Sequence, residues 1–292
     1  VKTFPFIISL IIVLLIAGAL FAGENPLWLR YPAISPDGDS ILLCYKGDIY
    51  KVNSAGGTAI PLTLYQGHDF KPVWSHDGKM IAFSSDRFGN FDVYIMPAQG
   101  GKAKRVTFHS ADDYPGDFTP DNRQVIFSSA RLDTAANAQF PGGTFPELYS
   151  VGVTGGRVKQ MLTLPAEDAK FDSAGTKIIF HDRKGLEDHW RKHHTSSVTR
   201  DILVYDFQDK TYRKISDFKG EDLYPVFSND DQEVYYLSEA GGTFNIFKTF
   251  LHSPSEKTQL THFEKHPVRF LSIAKDNTLC FSYNGEIYTK EP

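Results

Sequence analysis

A six-fold internal repeat dictates what this chain can fold into. Its first part is a short strand entering a tight turn: Pro32-Ala-Ile-Ser-Pro-Asp-Gly38, Pro72-Val-Trp-Ser-His-Asp-Gly78, Phe118-Thr-Pro-Asp-Asn122, Phe171-Asp-Ser-Ala-Gly175, Pro225-Val-Phe-Ser-Asn-Asp-Asp231 and Ile273-Ala-Lys-Asp-Asn277. The Asp, Asn and Gly residues supply the side-chain caps and positive φ that such turns need. An apolar run comes next, and an acidic or amide residue then opens a third segment: Asp48-Ile-Tyr50, Asp92-Val-Tyr94, Glu147-Leu-Tyr149, Asp201-Ile-Leu203, Asn245-Ile-Phe247 and Glu286-Ile-Tyr288. A fourth part, ending at Thr63, Thr107, Thr163, Ser216 and Thr261, completes five of the copies. Short strands in sets of four, repeated about every 40 to 50 residues, describe propeller blades. One blade cannot bury both of its faces, so the copies must close into a ring. The expected fold class is all-β: a six-bladed β-propeller of four-stranded blades over residues 27–292, with an incomplete last blade. Either Leu27-Trp-Leu-Arg30 fills the gap or the natural chain continues past Pro292; continuation is the expectation adopted, because the reach from Trp28 to Pro32 is short.

Residues 1–22 precede the repeats and carry one cation, Lys2, then an apolar run and small residues at Ala17, Gly18, Ala19 and Ala22. That order matches a secretory signal peptide, with an uncleaved membrane anchor as the alternative; both export the rest of the chain, to the periplasm in a bacterium. A net charge of −4 leaves no basic field for a phosphate backbone, which argues against nucleic acid as a partner. Cys44 and Cys280 sit on second strands of blades that become neighbours on closure. Aligning the repeats sets Cys44 level with Phe83 and Cys280 level with Ala82, so the two thiols are expected on opposite strand faces, unpaired.

Candidate binding residues come from the loops. The two longest insertions, 130–146 and 184–200, both join second to third strands in consecutive blades and should share a rim. The second places His189, Trp190, Arg191, His193 and His194 together. A metal site on His189 and His193 lacks an evident third ligand, so no metal is assigned. A carboxylate grip by Arg183, Arg191 and Arg200, with Trp190 as a stacking surface, has a physical basis in bidentate guanidinium binding; packing of the loop against the rim or a neighbouring domain is the plainer alternative. On the same face Asp69, Asp112, Asp113, Glu167, Asp168, Glu221 and Asp222 precede the first strands. They either ring the channel mouth and attract a cationic peptide end, or cap turns and pair with neighbours such as His68 and Lys71. No Gly-x-Ser-x-Gly or His-Glu-x-x-His motif is present, and no catalytic residue is assigned.

The repeat resembles the TolB-type propeller repeat from Pro32 to Tyr288. The opening Asn25-Pro-Leu-Trp-Leu-Arg-Tyr-Pro-Ala-Ile-Ser-Pro-Asp-Gly38 and the stretch Trp190-Arg-Lys-His-His-Thr-Ser-Ser-Val-Thr-Arg-Asp201 are similar to exported bacterial tricorn-like serine peptidases. The resemblance implies a non-catalytic N-terminal propeller that filters or docks substrate while catalytic domains lie further along. Its implied partners are peptides or unfolded protein segments and further domains of the same chain, with no cofactor; a homo-oligomer stays open. The alternatives are a free-standing TolB-like binding propeller and an exopeptidase with a later α/β-hydrolase domain.

Overall fold

The computed structural model describes residues 27–131, 145–185 and 195–291. Within them the chain forms six antiparallel sheets, each running outward from its first strand in sequence order. Five have four strands; the sixth has three, ending at Glu286–Lys290. Leu27 to Leu29 do not supply the missing strand. The Leu29 N–H instead donates to the Gly285 carbonyl at 2.9 Å, and Arg30 opens the first strand of blade 1.

The repeat motifs owe their form to hydrogen bonds. At the turn between first and second strands, the hydroxyl of Ser75 donates to Asp77 (2.7 Å) and accepts from the Met80 N–H (2.9 Å), while Asp77 accepts from the Lys79 N–H (3.1 Å). Ser35/Asp37, Thr119/Asp121 and Ser228/Asp230 do the same in blades 1, 3 and 5. The Thr or Ser ending the fourth segment accepts the N–H after the third-strand acid: Ile49 to Thr63 (2.9 Å), Val93 to Thr107 (2.8 Å), Ile202 to Ser216 (2.9 Å) and Ile246 to Thr261 (2.9 Å). The recurring polar residues thus satisfy backbone groups that a blade would otherwise bury unpaired.

Successive blades are stapled at these turns by two interchangeable devices. Where the left-handed turn position is glycine, the preceding blade sets a proline beside it: Pro36 lies 3.9 Å from where a Gly78 Cβ would stand, and Pro120 lies 3.3 Å from that of Gly175. Where that position is Asn or Asp, the preceding blade has no proline, and its free N–H donates to the side chain: His76 to Asn122 (2.7 Å), Ser173 to Asp231 (3.1 Å) and Asn229 to Asn277 (2.8 Å). Closure between blades 6 and 1 uses neither. Lys275 N–H donates to the Pro36 carbonyl (3.0 Å), and Ser272 Oγ accepts from the Ile34 N–H (3.2 Å).

One hydrophobic cluster fills each of the six spaces between blades. That between blades 2 and 3 holds Ala82, Val93, Phe118, Val125 and Phe127 among others, whereas the closing cluster between blades 6 and 1 has a buried core of only Ile34, Ile41, Ala274 and Cys280. Both cysteines are free and buried, as expected, but the register differs by one residue. Leu43 pairs with Tyr50 as Phe83 pairs with Tyr94, which sets Cys44 level with Ser84. The thiols therefore face the same way around the ring, Cys44 into blade 2 and Cys280 into blade 1, with a blade between them. Burial pushes the Cys280 thiol up to about 12, so both act as small hydrophobes.

Candidate functional site: the central channel

The first strands, Arg30–Ile34, Asp69–Trp74, Asp113–Phe118, Ala166–Phe171, Asp222–Phe227 and Val268–Ile273, contact one another around the axis. Each breaks register with its second strand near its middle. Such bulges re-aim a side chain. In five blades the residue there takes a left-handed backbone: Tyr31 (φ 50°), Lys71 (φ 53°), Asp168 (φ 50°), Tyr224 (φ 52°) and Phe270 (φ 59°). Blade 3 has Pro115 at that position, followed by Gly116, where a Cβ would stand 2.8 Å from the Ala169 carbonyl oxygen.

These five side chains converge on the axis. Lys71 reaches past blade 3 to Asp168 (2.9 Å), and Tyr31 packs on Phe270 with ring centroids 4.2 Å apart, Phe270 in turn on Tyr224 at 5.7 Å. Asp168 also lies 3.8 Å from Nε2 of the buried His181. Burial opposes ionisation of both members of the pair, but the mutual attraction of Lys71 and Asp168 outweighs it, raising the lysine and lowering the aspartate. The five residues form the floor of a cup of about 260 Å³ that opens among the turns between first and second strands. Pro32, Pro72 and Pro225, each following a floor residue, and Pro115, at the floor position of blade 3, contribute walls without N–H donors; His76, Asn229 and Lys275 lie nearer the turns.

The acidic face lies at the other end of the channel, and its charges are largely answered from within. Asp69 is fully buried and accepts from Arg87 (2.7 Å), and Asp113 binds Arg131 through both carboxylate oxygens. Each arginine sits over aromatic rings of its own blade, Arg87 over Tyr94 (4.9 Å) and Arg131 over Phe127 (4.8 Å). Asp69 and Asp113 are thus held by arginines of the loops between second and third strands, whereas Asp168 pairs with Lys71. Arg183 bonds Glu167 (3.2 Å); Arg200, 1% exposed, bonds Glu221 (3.2 Å) and approaches Glu167 (3.7 Å). Burial resists ionisation of Glu167, yet His181, Arg183 and Lys71 hold its carboxyl well below the usual range. Asp112 is exposed and caps the Phe91 N–H (2.9 Å). Asp222 is buried with no cation bonded to it among the described residues, and burial, only partly offset by the nearby Ser238 and Ser216 hydroxyls, pushes its pKa up to about 7. His189, Trp190, Arg191, His193 and His194 lie outside the described residues.

Sequence reasoning missed Lys71 as a channel residue, along with Tyr31, Tyr224 and Phe270. Nothing in the repeat marks a bulge position whose side chain changes among Tyr, Lys, Asp and Phe from blade to blade. The Asp–Arg pairs did leave a signal, since Asp69–Arg87 and Asp113–Arg131 share one spacing of 18 residues.

Residues 26–292 match the family described as the tricorn protease N-terminal beta propeller domain. The chain belongs to that family. Among solved structures, this tricorn-type propeller superposes on the tricorn protease with a TM-score of 0.76 and 22% identity, over 92% of this chain and 25% of the other. It therefore spans about a quarter of the tricorn protease chain. It also matches a putative TolB from Agrobacterium tumefaciens (TM-score 0.68, 16% identity, 91% of each chain) and TolB from Acinetobacter baumannii (0.62, 20%, 89% of this chain and 55% of the other). No curated protein matches. No helix among the described residues is long and apolar enough to cross a membrane.

Proposed function

We propose that the chain is the N-terminal propeller of an exported, periplasmic serine peptidase of tricorn type, and that it serves as a substrate filter or docking platform for proteolysis carried out by other domains of the same polypeptide. The observation that carries this reading is the family match over residues 26–292 joined to a channel cup whose floor carries unlike side chains, Tyr31, Lys71, Asp168, Tyr224 and Phe270, at one repeat position. A ring that needed only to be stable could fill that position with the same apolar side chain six times. Export rests on residues 1–22, with their single cation, apolar run and small residues.

The test is the mass of the native protein in an envelope extract, detected by an antibody against this propeller. A band several times the mass of the 292-residue chain supports a multidomain peptidase. In that protein, replacing residues 186–194 by a short Gly-Ser linker is expected to change which peptides are cut while leaving cleavage itself intact; unchanged selectivity would remove the loop from the filter. A band at or just below the mass of this chain favours a free-standing binding propeller, which the match over 91% of the putative TolB supports.

A further inference from the structure

We propose that the channel cup binds the free carboxyl terminus of an extended peptide, with Lys71, Tyr31 and Tyr224 as its donors. The inference deepens the proposed docking role and rests on it. The argument is one of hydrogen-bond inventory. The carboxylates lining the cup are already occupied: Asp117 accepts the N–H groups of Phe118 (2.9 Å) and Phe171 (3.0 Å), Asp231 accepts from Ser173, and Asp168 accepts from Lys71. The donors are not. The Lys71 ammonium has three N–H groups and one hydrogen-bond partner among the described residues, Asp168. The Tyr31 and Tyr224 hydroxyls make no hydrogen bond among the described residues, and burial keeps both phenols protonated by raising their pKa values, so they act as neutral donors. Nearer the opening, Lys170 donates to the neutral Gly116 carbonyl (2.5 Å) and exposed Lys275 has no side-chain partner among the described residues.

The cup therefore presents surplus donors at its floor and cations towards its opening, and its proline walls add apolar surface without N–H groups. A terminal carboxylate brings up to four acceptor sites and a negative charge, and the last apolar side chain of the peptide would lie on Pro32, Pro72, Pro115 and Pro225. A peptide ammonium has nothing comparable to meet, because Asp168 is already paired with Lys71 and lies beside His181. The volume, about 260 Å³, suits the end of a chain and not a long segment.

Trp74 lines the cup, with its indole N–H fixed on the Ala33 carbonyl at 2.8 Å. In a Trp28→Phe/Trp190→Phe background it is the sole tryptophan and reports directly on occupancy. An alanine-rich hexapeptide ending in phenylalanine is titrated calorimetrically and by Trp74 emission in three forms: free at both ends, C-terminally amidated, and N-acetylated. The expected result is that the amide binds about tenfold more weakly than the free peptide, with the N-acetyl form unchanged. Lys71→Met/Asp168→Asn, which leaves no lone buried charge, should erase the difference between acid and amide. Tyr31→Phe and Tyr224→Phe should each weaken the acid about threefold. Equal binding of acid and amide overturns the proposal while leaving the docking role standing. Calorimetric binding without a Trp74 response, dependence on the free amine, or no binding of any form overturns it as well, and the native mass tests the docking role separately.

Discussion

The two mouths of the channel are built on opposite electrostatic plans. The face carrying the loops between second and third strands is rich in carboxylates, but Asp69, Asp113, Glu167 and Glu221 are held by arginines from those same loops. The face carrying the turns between first and second strands has fewer charges, yet they surround an open cup whose donors are incompletely matched. Charge density along the sequence therefore marks the mouth whose carboxylates are mostly answered from within. What makes a surface receptive is the charge or hydrogen-bonding capacity left over after the fold has satisfied itself.

The contrast breaks most visibly at Arg200. Replacing it by methionine leaves Glu167 and Glu221 short of a buried partner, and the expected loss is about 3–5 kcal/mol of unfolding free energy in urea titrations. A loss below about 1 kcal/mol would show that the acidic face is not internally neutralised as described.

Asp222 is the exception on that face, and Asp222→Asn sharpens the comparison. The carboxyl moves from an unfolded value near 3.8 to about 7 in the fold. Between those values the folded state holds a proton that the unfolded state has released, so this group makes stability fall as pH rises from about 4 to 7. The Asn variant should lack that fall and be more stable than the parent by roughly 2 kcal/mol above pH 7. Parallel stability curves from pH 4 to 8 would contradict the assignment.

On the turn face, His76→Pro and Asn122→Gly test the stapling between blades. Each alone should cost about 1 kcal/mol, by losing the N–H donor or its acceptor. Together they recreate the Pro36–Gly78 arrangement and should be less destabilising than the sum of the single changes, giving a coupling of at least ~0.5 kcal/mol in a double-mutant cycle. The smallest effect is expected at Asp112→Asn: the residue is exposed and the amide oxygen can still accept from Phe91, so thermal unfolding should shift by no more than about 0.5 kcal/mol equivalent.

The ring was readable in the sequence because the Ser/Thr-x-Asp turn and the terminal Thr or Ser each answer the same backbone groups in four of the six blades, and like demands leave like residues. The floor of the cup was not, for the converse reason: Tyr31, Lys71, Asp168, Tyr224 and Phe270 occupy one structural position with four kinds of side chain among five blades. The Cys44 register went astray by one residue because an apolar run aligns with itself almost equally well after a single step, while only strand pairing fixes which face each residue takes. His76, Asn122, Ser173 and Asp231 look like decay of the Pro–Gly motif until the structure shows that each departure is answered in the adjoining blade.

Those matched departures give five of the six junctions in the ring one of two addresses. A blade with proline at its turn fits before a glycine-bearing neighbour, and one with a free N–H before Asn or Asp, so copies of a common ancestor are no longer interchangeable. During synthesis the chain thus has a local means of rejecting a blade stacked out of turn, which matters for a repeat architecture whose characteristic failure is misassembly among similar units. Chimaeras that exchange whole blades should be designed by these junction types before overall sequence similarity is considered.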